Sequence, residues 1–138
     1  VKSLYIGAAL SIFIASASAS VYAHHAAAGI DRTKTVTVEG TVKQFKWANP
    51  HSWLEVTVPN AKGGTDLWNF EMNPPTYLVR SGWKSTSVKT GDKVKVTGRP
   101  FTNGDPGGIF VSVTLADGTV LAGGQAPPNA VAPVEPSK

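Results

Sequence analysis

The chain has 138 residues, with 13 Lys and Arg against 9 Asp and Glu, and no cysteine. The missing thiols exclude disulfides, thiolate metal ligands and a cysteine nucleophile, so stability must come from packing alone. A formal net charge of +4 favours anionic surfaces but is too small to argue for nucleic acid.

Residues 1–23 read as an export signal. Lys2 supplies the positive start, Leu4 to Ala15 the apolar stretch, and "VYA" a small-residue cleavage site ending at Ala23. The apolar stretch falls short of the roughly 20 residues that span a bilayer, so no transmembrane helix is expected after cleavage. The expected address is the periplasm or the exterior, by Gram-negative-type export, which argues further against nucleic acid. A cut after Ala23 puts His24 and His25 at the mature N-terminus; a cut after Ala19 leaves them inside the chain. Residues 24–34 are expected to form a flexible arm.

From Thr35 onward the pattern is one of strands and turns. "TVTVEGTVKQFKW" sets Val36, Val38 and Val42 on one side and Thr37, Glu39 and Thr41 on the other. Gly40 marks a bulge or sharp bend in that strand. After the turn "ANPHS", the run "SWLEVTV" sends Leu54, Val56 and Val58 inward and Trp53, Glu55 and Thr57 outward. "LWNFEM" is a third strand with Trp68, Phe70 and Met72 on its apolar side and Asn69 and Glu71 opposite. "NPPTYLVRSGW" predicts a short helix with Asn73 as N-cap, Pro74 in its first turn and Gly82 as its stop. A fourth strand has Val94 and Val96 inward. "IFVSVTLADGTVL" gives a fifth strand and a hairpin about Asp117 and Gly118. Residues 122–138 are Pro-rich without apolar periodicity and are expected to be a disordered tail.

Three strands, a helix and two more strands is the order of a five-stranded OB-like Greek-key barrel. The expected fold is therefore all-β with one short helix, spanning residues 35–121. In such a barrel the helix plugs one end, and strands two and three with their flanking loops form the usual binding face.

The segments "VEGTVKQFKWANPHSWLEV", "WNFEMNPP", "GWKSTSVKTGDKVKVTGRP" and "GGIFVSVTLADGTVL" resemble a family of small exported bacterial proteins classed as a domain of unknown function. "AHH" after the signal and "NPHSW" after the first strand belong to the same pattern. The resemblance implies an OB-like exported domain and implies no particular activity.

Three groups of residues bear on function. Trp47, His51 and Trp53 in "WANPHSW", with Asn69 and Glu71 on the third strand, form a candidate ligand face, since aromatics on an OB face stack on sugars or bases. The plain alternative is that these aromatics are covered by the rest of the chain. His24, His25 and His51 form a candidate copper site: an N-terminal His offers its α-amine and its ring, and Cu(II) favours such nitrogens in a square arrangement. Zn(II) accepts a similar set. Against this, the His pair reads equally as a solvated arm, and Met72 by its parity as core. Glu55 and Glu71 are an outward carboxylate pair of the kind used in glycoside hydrolysis, though salt bridges to Lys43, Lys93 or Lys95 account for them more simply.

The basic series Arg80, Lys84, Lys89, Lys93, Lys95 and Arg99 reads as a solvated face or a dock for an anionic glycan, lipid headgroup or acidic partner. No catalytic triad, nucleophile elbow or phosphate loop is present, and no catalytic residue is assigned. The sequence points to an exported, non-catalytic binding or accessory module for a periplasmic protein, glycan or small ligand. Its alternative is a copper-binding protein serving metal transport or redox chemistry.

Overall fold

The computed structural model describes residues 29–123. The export segment, the His24–His25 pair and residues 124–138 of the tail lie outside the described residues. Seven elements follow in order: β1 (Val36–Lys46), β2 (Ser52–Pro59), β3 (Thr65–Met72), α1 (Pro75–Arg80), β4 (Lys93–Pro100), β5 (Gly107–Leu115) and β6 (Val120–Ala122). The neighbours run β3-β2-β1-β4-β5-β6, and a parallel β3–β5 pairing closes the first five strands into a barrel. This is the expected OB-like five-stranded barrel with one short helix. Among the described residues no helix is long and apolar enough to cross a membrane.

The closure depends on strands that change partner along their length. β1 pairs with β4 from Val36 to Thr41 and with β2 from Thr41 to Lys46. Gly40 lies beside that handover, and a Cβ there would collide with the Thr57 carbonyl and stand 2.7 Å from Val56 Cγ1. Gly40 thus marks a close crossing, while the register shift in β1 falls between Val42 and Gln44. That bulge adds one residue, so Val42 and Phe45 both turn toward the core although their spacing is odd. β5 divides its edge in a similar way: Gly107–Ile109 close the barrel on β3, and Ser112–Thr114 pair with β6.

The period-2 alternation fills the interior. Leu54, Val56, Phe70, Val96 and Val113 are fully buried, each a side chain whose burial stabilises by about 1.5–3 kcal/mol. Leu78 of α1, with Trp83 and Val88 beyond it, belongs to the same cluster. Trp83 meets Phe110 edge-on at 5.5 Å, and its indole N–H donates to the Ala122 carbonyl at 2.7 Å. That bond ties the segment after the helix to β6.

The helix start differs from expectation. The N-cap is Pro74, which makes no side-chain capping bond. The Asn73 amide reaches across the fold instead and donates to the Gly123 carbonyl at 2.8 Å. A long-range partner has outcompeted the local one. The hairpin at Asp117–Gly118 is as expected: Thr119 N–H donates to Asp117 Oδ1 (2.8 Å), which holds that carboxyl below its ordinary pKa.

The chain ahead of β1 lies along the barrel. Ile30 forms a bridge with Phe101, Asp31 N–H donates to the Pro100 carbonyl (3.0 Å), and Thr102 N–H donates to the Gly29 carbonyl (2.8 Å). Asp31 braces the bend that follows, accepting from Thr33 N–H (3.0 Å) and the Thr33 hydroxyl (2.6 Å), with Lys34 Nζ 3.1 Å away. The Thr33 hydroxyl, first among these partners, lowers its pKa from 3.8 to about 2. The C-terminal part of the expected arm is therefore tied to the end of β4.

Candidate functional site

The pairing registers lay one row of residues across the barrel wall. Lys46 on β1 faces Trp53 on β2, Trp53 faces Glu71 on β3, Glu71 faces Ile109 on β5, and Ile109 faces Arg99 on β4. With strands about 4.8 Å apart, Glu71 and Arg99 stand roughly 10 Å apart by backbone, with Ile109 between them. The turn "ANPHS" adds His51 to the Glu71 end of the row. Its Asn49–Pro50 peptide is cis. Ser52, fully buried, accepts a long bond from Ala48 N–H (3.4 Å), and its own N–H donates to the Asn73 carbonyl (3.4 Å). Because neighbours on a strand point to opposite faces, Ser52 turns inward while His51 turns outward.

His51 Nδ1 lies 2.5 Å from Glu71 Oε1, with side-chain exposures of 49% and 22%. A carboxylate at that distance needs a proton on Nδ1, so in the neutral ring Nε2 keeps its lone pair. The expected salt bridges from Glu71 to Lys43, Lys93 or Lys95 do not form. Lys95 pairs with Glu39 (2.7 Å), and Lys93 donates to Thr41 Oγ1 (2.7 Å). Glu55 pairs in register with Asn69, which leaves Glu55 and Glu71 diagonal to one another on the outer face.

A cleft of about 380 Å³ opens over the Glu71–Ile109–Arg99 part of this row. Ile30 and Arg32 form one wall, Asn73 and Gly123 another, and His51, Glu71, Ile109, Val111 and Arg99 lie between them. Arg99 is half-buried and Arg32 exposed, and neither takes part in an ion pair among the described residues. The lining contains no serine, threonine, lysine or tyrosine. Among the described residues no three His, Asp or Glu converge on a point where a metal ion would sit.

The candidate residues read from sequence separate here. His51 and Glu71 are bonded in the cleft, whereas Trp53, the cross-strand neighbour of Glu71, is not among the residues that line it. Asn69 lies two residues further along the same outer face, opposite Gly107. Trp47 packs edge-on against Phe45 at 5.7 Å, beside the core, and is half-buried. Met72 is core, as its parity requires, with only its edge at the cleft. His24 and His25 lie outside the described residues. Sequence reasoning missed Arg32 and missed Arg99 as a cleft residue, placing the latter in a general basic series. Arg99 shares the outward parity of Lys93 and Lys95, and the signal that would have separated it is its position opposite β5 near the closure.

A family model described as a family of unknown function (DUF6152) matches residues 10–111. No curated protein and no solved structure matches the chain. The match spans most of the sequence and the strands that build the cleft, so the chain belongs to DUF6152, a family of unknown function.

Proposed function

We propose that this chain is an exported, non-catalytic binding module of the bacterial periplasm whose ligand sits in the cleft at His51 and Glu71. The observation that carries this reading is the walled cleft on the outer face of β3, β5 and β4, beside the turn between β1 and β2. It shares that turn and the end of β3 with the face through which OB-like barrels commonly bind. Its volume of about 380 Å³ lies in the range of small-molecule sites. The lining supports binding over catalysis. His51 has a carboxylate behind it but no serine or threonine in the lining to activate, and Ser52 is turned into the core.

The test is a fragment screen on the full exported chain, followed by amide chemical shifts. Saturable hits that converge on residues 71–73 and 109–111 support the reading. Hits scattered over the barrel, with none in the cleft, overturn it. Mass spectrometry of the periplasmic fraction checks export; uncut protein retained in the cytoplasm overturns that part.

Two features favour copper as a second reading. Glu71 behind His51 Nδ1 leaves Nε2 outward, the second-shell arrangement common behind metal-bound histidines. Ile30 also lines the cleft, and the five steps from His25 to Ile30 span at most about 18 Å when extended, a reach that allows the His pair to approach the cleft that holds His51. The test is copper titration of the processed chain against a variant with one extra Ala before His24. Nitrogen couplings in the EPR spectrum that vanish in the variant support this reading; weak binding indifferent to the extra residue overturns it.

A further inference from the structure

Among the described residues neither arginine of the cleft has a counter-charge, and this carries the binding reading one step further. Arg99 is half-buried at the end of the Glu71–Ile109–Arg99 row, and Arg32 stands on the wall formed by the chain ahead of β1. Neither belongs to an ion pair among the described residues. The one carboxylate in the lining, Glu71, is already bonded to His51 and sits across Ile109 from Arg99. The cleft therefore holds two cations against one anion before His51 is counted. A partly desolvated guanidinium gains most from an oxyanion that offers two oxygens to its fork, as carboxylate and phosphate both do, through two parallel hydrogen bonds. Between the charged ends the surface is apolar, with Ile109 and Val111 on β5 and Ile30 on the facing segment.

We propose that the cleft is a site for a small organic anion. Arg99, assisted by Arg32, binds its carboxylate or phosphate group, and its apolar body rests on Ile109 and Val111. The His51–Glu71 pair closes the far end, where Nε2 accepts a hydrogen bond from a hydroxyl or amide of the ligand. The proposal rests on the binding-module reading and adds the charge class of the ligand. It also divides the basic series: Lys93 and Lys95 are occupied with Thr41 and Glu39, whereas Arg99 is available to a ligand.

The test uses the full chain and three probes of one shape: benzoate, phenyl phosphate and neutral benzamide. Saturable amide shifts at residues 71–73 and 109–111 are expected with at least one of the two anions and not with benzamide. Preference between the anions identifies the oxyanion. Arg99→Gln is expected to raise the Kd of the bound anion about tenfold or more, the scale of one lost charge-assisted pair. Arg32→Gln, on the exposed wall, should raise it less. Preserved dispersion of the amide spectrum confirms that each variant is folded. Benzamide binding as tightly as the anions, saturation by neither anion, or an unchanged Kd in folded Arg99→Gln overturns the proposal. In those cases neutral fragments that still converge on the cleft leave the module reading standing, whereas an empty cleft in the whole screen removes both.

Discussion

Replacing Gly108 with alanine tests the closure on which the cleft depends. Gly108 pairs with Phe70 across the parallel seam and with Pro100 on β4, so its backbone is held from both sides. A Cβ at this position would collide with the Arg99 carbonyl oxygen, 2.7 Å from the carbonyl carbon and 3.0 Å from Pro100 Cα. All of these are backbone atoms, so no side chain can swing aside. Either β5 moves away from β4 or the added methyl stays overpacked, which costs about 1–3 kcal/mol. Moving β5 also loosens the seam, and one or two ladder hydrogen bonds at about 1 kcal/mol each bring the expected loss to roughly 2–5 kcal/mol. Gly63→Ala is the control, since its φ of +81° has open space around it and only the backbone term of about 1–2 kcal/mol remains. Urea denaturation of both variants gives the comparison. Thermal melting should follow at about 4–8 °C per kcal/mol for a domain of this size. Equal losses in the two variants, or a loss below about 1 kcal/mol for Gly108→Ala, would refute a tight β3–β5–β4 seam.

Three further outcomes are expected. The neutral imidazole of His51 should carry its proton on Nδ1, because Glu71 accepts there; in Glu71→Ala the ring should shift toward the Nε2–H form. Ring nitrogen shifts read this directly, and an Nε2–H ring in the unmutated protein would contradict the pairing. Trp83→Phe removes the donor that holds the Ala122 carbonyl of β6, and the lost bond alone should cost about 0.5–1.5 kcal/mol, with faster amide exchange in β6; an unchanged denaturation midpoint would sink it. Asp31 titrates lower in the folded chain than its ordinary value of 3.8, so its bracing of the Thr33 bend is complete above about pH 4. The bracing is lost as pH falls through about 2. The Thr33 amide shift followed against pH should move in that window, and a midpoint near 4 would refute the assignment.

The barrel was legible because burial on a strand leaves a period of two. Val38, Leu54, Val56, Phe70, Val94 and Val96 all alternate as their neighbours require, and all are buried. The pattern breaks where an extra residue enters. After the bulge near Lys43, Phe45 takes the inward place that strict alternation from Val42 would give to Gln44. The shift between Thr97 and Gly98 does the same for Phe110 and Val113 on the facing strand. The capping role expected for Asn73 failed for another reason: its partner, Gly123, lies 50 residues away, beyond any local rule. The site divides along the same line. His51 and Glu71 were both candidates, but not as a bonded pair. Arg32 and Arg99 come together only through the Ile30–Phe101 bridge, a contact between residues 71 positions apart that no local pattern records.

That bridge also accounts for why this face is a cleft. The outer surface of a five-stranded barrel is convex, and residues in a row across it, such as Glu71, Ile109 and Arg99, would stand open to water. Two segments outside the barrel turn the row into the floor of a cleft. On one side, the Asp31 N–H bond to the Pro100 carbonyl and the Ile30–Phe101 bridge lay Ile30 and Arg32 along β4. On the other, the Asn73 amide draws in the Gly123 carbonyl just after β6. Both anchor points lie near the ends of strands that meet at the β3–β5–β4 seam, so the walls are referenced to the floor they enclose. The barrel fixes the spacing of Glu71 and Arg99 through its register. The two ends of the described chain then reduce the solvent around them, which strengthens any charge-assisted bond made inside. The division of labour follows: the strands determine which groups face the cleft, and the flanking segments determine how much their charges count.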